Sequence, residues 1–228
     1  MRYGALTLPG YRCAVASTDT SDGHYFDDAP TAPTKRREIE LVLPDVFLAL
    51  TTDSGVFAAG SVDKGTRYLL RAISEVKAPA TPPRSILDLG CGYGPIALTM
   101  AKRFPDAHVW GVDVNERALG LADENAEANG VDNVTFAKAD SIESAQTFDL
   151  IVSNPPIRIG KKALHELLST WLPRLNTDGR AWMVVQKHLG SDSLANWLTE
   201  HGWATNRFAS KAGFRILETH PSDRSEQP

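Results

Sequence analysis

Residues Ile86–Gly94 read ILDLGCGYG: an apolar run with one acid in it, then three glycines at alternate positions, followed directly by Pro95. The apolar half has the make-up of a buried strand. Proline fits the first position of a helix, where a missing N–H leaves nothing unsatisfied. Glycines between the two allow a tight turn and a close approach of backbone to ligand, and the helix start offers unpaired N–H groups. A dinucleotide fingerprint would space its glycines G-x-G-x-x-G. Here Gly90, Gly92 and Gly94 are spaced G-x-G-x-G, and Asp88 stands two residues ahead of the first. A carboxylate there would repel a pyrophosphate and suits an ammonium.

Working outward from that loop, strand and helix patterns alternate from Arg84: SILDLG, PIALTMAKRF, HVWGVDV, NERALGLADENAEANG, NVTFAKAD and FDLIVSN. Such alternation predicts parallel strands joined by right-handed crossovers, an α/β doubly wound sheet. KKALHELLSTWLPRLN follows as a helix that Pro173 should end early, then GRAWMVVQK as a buried strand. SDSLANWLTEHG is expected to be a helix with Ser191 as N-cap and Gly202 beyond its end. WATNRFAS and GFRILET are separated only by Lys211 and Ala212, so the last strand should run antiparallel.

Upstream, residues 1–33 mix Gly, Pro, Ser, Thr and Asp without periodicity and read as an irregular arm. RREIELVLP and DVFLALTT form a hairpin around Pro44-Asp45, and DSGVFAAGSVDKG is a glycine-rich loop before the helix TRYLLRAISEV. KAPATPPR is a linker. The expected organisation is thus an arm over 1–33, a hairpin, loop and helix over 34–77, and a main domain over 84–220.

Bulk properties narrow the class. A chain of 228 residues with 42% hydrophobic and 23% charged residues is ordinary for a globular protein. Its formal net charge of −4 argues against one that coats nucleic acid non-specifically, though not against a local basic patch. Cys13 and Cys91 are the only cysteines, and a disulfide in the glycine loop would be awkward, which favours a reducing compartment. The first residues lack the apolar core of a secretion signal, and no run of about 18 apolar residues is present to span a bilayer. The expectation is a cytoplasmic protein with no membrane partner.

Three acids recur at successive strand ends. Asp88 precedes the loop of Gly90, Cys91, Gly92 and Gly94. Asp113, with Val114 beside it, ends HVWGVDV about 20 residues on, where an acid can accept both hydroxyls of a ribose. Asp140, with Ser141, follows the third strand and could accept from the exocyclic amine of an adenine. Taken singly, Asp113 and Asp140 serve equally as helix caps. In series they line one crevice, and the molecule that presents an ammonium, a ribose and an adenine in that order is S-adenosylmethionine.

The fourth strand end supplies the chemistry. Asn154-Pro155-Pro156 should form a rigid corner, because proline lacks an N–H and holds the residue before it extended. Its carbonyls are expected to be unpaired. The Asn154 amide oxygen and the Pro155 main-chain carbonyl can then accept both hydrogens of an exocyclic –NH₂ and aim its lone pair at a sulfonium methyl. Methyl transfer of this kind depends on alignment rather than on a strong base. No catalytic His or Cys is expected, and the six histidines show no metal spacing.

These motifs, with the upstream TDSGVFAAGSVDKGTRYLL, the VVQK strand end and the KAGFRILET finish, resemble the class I S-adenosylmethionine-dependent methyltransferases. More narrowly, the chain is similar over residues 24–219 to the small-domain methyltransferases related to bacterial 16S rRNA guanine-N2 enzymes. The resemblance implies a seven-stranded Rossmann-like sheet with cofactor over the glycine loop. It also implies methylation of an amino nitrogen, of the guanine N2 type at position 1207 of 16S rRNA, in free rRNA or the small ribosomal subunit. Glutamine amides and adenine N6 present the same planar –NH₂ and stay open as targets, as does a non-catalytic binding module.

Amino-methyltransferases commonly place Tyr or Phe after the proline pair, and this chain has Ile157. Phe57 could stack on a base in its stead or pack in the core. Arg158, Lys161 and Lys162 beside the corner could hold phosphates or simply solvate a helix start, where cations oppose the macrodipole. Lys35, Arg36 and Arg37 read as ordinary surface.

Overall fold

A computed structural model describes residues 34–76 and 81–222. The expected arm over 1–33, Cys13 within it, and residues 77–80 of the proline linker lie outside the described residues.

Seven strands form the main sheet: β3 (Ser85–Leu89), β4 (His108–Val112), β5 (Val134–Ala137), β6 (Phe148–Ser153), β7 (Leu175–Gln186), β8 (Trp203–Lys211) and β9 (Phe214–Pro221). Their order is β5-β4-β3-β6-β7-β9-β8. β3, β4, β5, β6 and β7 pair in parallel, whereas β9 is antiparallel to both β7 and β8. From β3 the chain winds outward through β4 to β5 and then returns to β6 on the other side. The crevice at such a reversal, at the carboxyl ends of the strands, is where open α/β sheets bind ligands.

Helices α2 (Pro95–Arg103) and α3 (Glu116–Ala128) share one face of the sheet, and α4 (Lys161–Trp171) and α5 (Ser191–Glu200) share the other. Pro173 ends α4 as its ring dictates, in a short 3-10 turn over Leu172–Arg174. The N-cap of α5 is Gly190, at φ 99°, not Ser191. Ser191 is buried as the first helical residue, and its hydroxyl accepts from Arg215 Nη1 at 3.1 Å. The final hairpin turns at Ala212 and Gly213, with φ of 49° and 83°. Two left-handed residues match the twist of the flanking strands, so each strand runs slightly further than expected.

The upstream segment forms the hairpin β1 (Arg37–Val42) and β2 (Phe47–Thr52), then helix α1 (Lys64–Ser74). Leu41, Leu48, Leu50, Leu69 and Leu70 bury in the same hydrophobic cluster as Ile86, Leu98 and Val184. Burying each such side chain contributes about 1.5–3 kcal/mol. Two side-chain amides, on α3 and at its C-cap, pair with the outer edge of β2 as a neighbouring strand would. Asn125 accepts from Thr51 N at 2.7 Å and donates to Thr51 O at 2.9 Å. Asn129, one turn on, accepts from Ala49 N at 3.1 Å and donates to Ala49 O at 2.7 Å.

Candidate functional site

The glycine loop joins β3 to α2. Gly90 N and Cys91 N donate to Val112 O at 2.9 and 3.0 Å, which fixes the loop against the end of β4. Gly90, Gly92 and Gly94 all have positive φ, of 77°, 55° and 93°, a region that other residues enter only with strain. A Cβ on Gly94 would crowd Phe136, but one on Gly92 would meet nothing within 4 Å. Gly92 therefore faces open space, and its hydrogen there leaves room for a ligand to lie on the backbone.

Asp88 lies beneath that loop. It is fully buried; its Oδ2 accepts from Ala97 N at 2.9 Å and so holds the first turn of α2. Its Oδ1 is buried with no partner among the described residues. Burial pushes this carboxyl well above the usual range, and the Asp113 carboxylate adds to the rise against the Ala97 N–H. An orphaned acceptor of this kind is suited to a cation on the loop above it. Cys91 is also buried, and burial raises its thiol, so it packs and does not act as a nucleophile.

Asp113, half-buried at the end of β4, accepts from Gly92 N at 2.8 Å through Oδ2 and from Asn115 N at 3.0 Å through Oδ1. Burial raises its pKa, opposed by the N–H bonds from Asn115, Gly92 and Val114. A carboxylate offers about four lone-pair sites, so each oxygen retains capacity for a hydroxyl. Val114 is 47% exposed, leaving an apolar surface beside it. Asp140 and Ser141 are exposed on a 3-10 turn at the end of β5. The donor and acceptor set along β3, β4 and β5 thus fits an ammonium, a ribose and an adenine in sequence.

Asn154 follows β6, next to the same crevice. Its Nδ2 donates to Asp63 Oδ1 at 2.8 Å and to Thr66 Oγ1 at 3.0 Å. A carboxylate can only accept, so the amide nitrogen must face Asp63, and both of its hydrogens are used. The amide oxygen is left as an acceptor directed away from α1. Asp63 Oδ1 is also the N-cap of α1, accepting from Gly65 N at 2.8 Å and Thr66 N at 3.0 Å.

The carbonyls of the proline corner are not unpaired, contrary to expectation. Pro155 O accepts from Ile157 N at 2.8 Å and Pro156 O from Ile159 N at 3.1 Å. With φ −73° and ψ 71°, Pro156 is the centre of an inverse γ-turn, a conformation that its ring permits and that closes this bond. Each carbonyl oxygen keeps a second lone pair, so Pro155 can still accept from a ligand. Ile157 is half-buried and packs on the cluster beneath α4.

Phe57 is 50% exposed, which removes core packing as its use, while its neighbour Val56 is fully buried and anchors the loop. Asn115 Nδ2 donates to Gly55 O at 2.9 Å and Arg117 Nη1 to Ser54 O at 3.0 Å. Asn115, two residues past Asp113, thereby draws the DSGVF loop to the crevice. Arg158, Lys161 and Lys162 are exposed around the start of α4, which has no capping side chain and no acid in its first turn. Lys162 lies 3.9 Å from Glu166, one turn along. Arg36 is held by Glu124 at 2.8 and 2.9 Å, a surface ion pair.

Sequence reading left out Asp63 and Thr66, having begun α1 at Thr66 and assigned Asp63 to the loop. An aspartate just ahead of an apolar-periodic run is an N-cap signal that would have placed it. Its bond to Asn154 had no local signal. Among the described residues no group of three or more His, Cys, Asp or Glu could hold a metal, and no helix is long and apolar enough to cross a membrane.

A family model described as methyltransferase small domain matches residues 48–218. The uncharacterized protein YbxB of Bacillus subtilis is 37% identical over 198 residues, covering 86% of this chain and 96% of its own. The ribosomal RNA small subunit methyltransferase C of Hahella chejuensis is 42% identical over 115 residues, 50% of this chain and 32% of its own. Among solved structures, the T. thermophilus 16S rRNA N2 G1207 methyltransferase in complex with AdoMet and guanosine superposes with a TM-score of 0.71 at 24% identity. That match covers 84% of this chain and 52% of the other, so the chain spans about half of its length.

Proposed function

The chain belongs to the methyltransferase small-domain family and is an S-adenosylmethionine-dependent methyltransferase, and from that premise we propose that it methylates guanine N2 in small-subunit rRNA. One observation carries the reading: the Asn154 amide is clamped with both N–H groups turned to Asp63 and Thr66. What remains at the corner is a pair of acceptors, Asn154 Oδ1 and the second lone pair of Pro155 O. Two convergent acceptors select a group with two hydrogens to give, such as an exocyclic amine, and leave a carbonyl or a methyl unmatched.

In this reading Gly90, Gly92, Asp88, Asp113, Asp140 and Ser141 hold S-adenosylmethionine, which when bound supplies an activated methyl. Asn154 and Pro155 take the two amine hydrogens and so present the nitrogen lone pair. Asp63 polarises the amide behind Asn154, which makes Oδ1 a stronger acceptor as positive charge grows on the amine. The proton released afterwards leaves a strongly acidic ammonium and needs only water. Holding reactants in line is worth several kcal/mol of barrier, which is consistent with a corner that contains no base. Phe57 offers the exposed ring on which a base can stack, and Arg158, Lys161 and Lys162 the cations for nearby phosphates. A cytoplasmic location accompanies this substrate.

The test is methyl transfer from labelled cofactor to 16S rRNA, to small subunits and to release factor, with the modified nucleotide mapped. Asn154→Ala should lower kcat by about two to three orders of magnitude and leave cofactor affinity within about twofold. Transfer to release factor instead of rRNA would move the assignment to a glutamine amide. Full activity of the alanine variant would end the orientation mechanism.

A further inference from the structure

The far side of the corner carries a second cationic feature. Lys187, Arg207, Ser210, Lys211 and Arg215 line an open cavity of about 290 Å³ at the tip of the β8–β9 hairpin, completed by Phe214. Arg215 is nine-tenths buried, and its guanidinium is set by Ser191 Oγ and by Asp192. Asp192 also pairs with Arg207 at 3.2 Å. Two of the four cations thus pair with this one acid, which leaves an excess of three positive charges on a chain whose formal net charge is −4. Lys187 and Lys211 are exposed. The cavity is shaped by backbone: Lys187 N donates to Gly213 O at 2.7 Å, and the left-handed pair Ala212-Gly213 folds Lys211 back over it.

The position of this cavity is set by α1. A Cβ on Gly65 would lie 2.9 Å from the Phe214 ring, and Gly65 N donates to the same Asp63 oxygen that receives Asn154. The cavity and the target corner therefore both abut the first turn of α1, at the same end of the sheet. β7 pairs with β6 through Ser153 and Met183, so Lys187 lies three residues beyond the position level with Asn154, at the same end of the sheet.

We infer that this cavity binds a phosphate of the RNA strand next to the methylated nucleotide. The inference rests on the rRNA reading above. A guanidinium fixed in place and two exposed ammonium groups around a small open cavity match a phosphodiester, and such contacts position a strand without reading its sequence.

The test is the double variant Lys187→Gln/Lys211→Gln, in which both residues are exposed and the fold keeps its core. Binding of end-labelled 16S rRNA and of labelled poly-glutamate is measured from low to moderate salt, together with cofactor affinity and kcat. Expected are a roughly tenfold loss of rRNA affinity, a salt slope smaller by about 0.7 for the one phosphate lost, unchanged cofactor affinity, and recovery in Lys187→Arg/Lys211→Arg. If wild type binds and methylates rRNA and the Gln variant does so with the same affinity and slope, the cavity is not a phosphate site and the rRNA reading stands. Loss of poly-glutamate binding alone would overturn the inference in favour of an acidic protein partner. If wild type neither binds nor methylates rRNA, both readings fall.

Discussion

Asn154 and Asp63 lie 91 residues apart in the chain and meet at 2.8 Å, so the carboxylate that starts α1 also orients the amide at the end of β6. Thr66 Oγ1 takes the second amide hydrogen at 3.0 Å. Thr66→Val keeps the shape and the helix cap but removes that acceptor. It should lower kcat about tenfold, with little change in KM for cofactor or in Tm. Asp63→Ala removes the cap as well, and should cost about 1–2 kcal/mol of stability in urea melts along with a larger fall in kcat. Equal kcat for Thr66→Val and wild type would show that the clamp does not matter to transfer.

The buried Asp88 carboxyl makes a prediction about pH. Burial raises its folded-state pKa well above the ordinary carboxylate value, outweighing the Ala97 N–H. Such a group binds its proton more tightly in the folded chain. Its contribution to stability is full below the unfolded pKa and is lost as pH rises through the raised one. Asp88→Asn cannot ionise. Between about pH 5 and pH 8, the Tm of the cofactor-free variant should therefore fall less than that of wild type. Parallel curves would mean that Asp88 is not destabilised by its burial.

Two glycines separate ligand binding from packing. Gly92→Ala places a methyl in open space at φ 55°, so it should cost roughly 1 kcal/mol of stability yet sharply weaken cofactor binding in calorimetry. Gly111→Ala would set its Cβ 2.4 Å from the Phe136 ring, inside the sheet. About 1–3 kcal/mol of stability should be lost there, with cofactor affinity retained in the folded fraction. The reverse pattern would place the ligand elsewhere.

Phe57 is half-exposed on a loop anchored by Val56 and Asn115, so its removal should not disturb folding. Phe57→Ala is expected to raise KM for RNA about 5- to 150-fold, the equivalent of about 1–3 kcal/mol of stacking, with Tm unchanged and Phe57→Tyr near wild type. An unaltered KM would remove base stacking from its role.

The parts of the fold that were legible in sequence are those with a local period. ILDLG followed by three glycines gave β3, the loop and α2, and the alternation after it gave the parallel sheet and the antiparallel finish. The positions of Asp113 and Asn154 at strand ends followed from the same pattern. Contacts that close long loops had no such signature. Nothing local distinguishes Asp63 as the partner of Asn154, or Asn125 and Asn129 as partners of β2, because each pairing is set by how α1 and α3 pack. The proline carbonyls were misjudged for a different reason: proline cannot donate, but the next residues can, and the inverse γ-turn at Pro156 uses them.

The asparagines in α3 and at its C-cap have an effect beyond anchoring the hairpin. A two-stranded ribbon normally offers its outer backbone as a template on which another chain can add. Here Asn125 and Asn129 occupy that row on β2. On β1 the exposed Arg37, Glu38 and Glu40 put charge along the other side, with Glu40 O already taken by Arg67. The ribbon is thus guarded against aggregation in a crowded cell by a helix that imitates a strand, and the guard would fail first wherever those amides were lost.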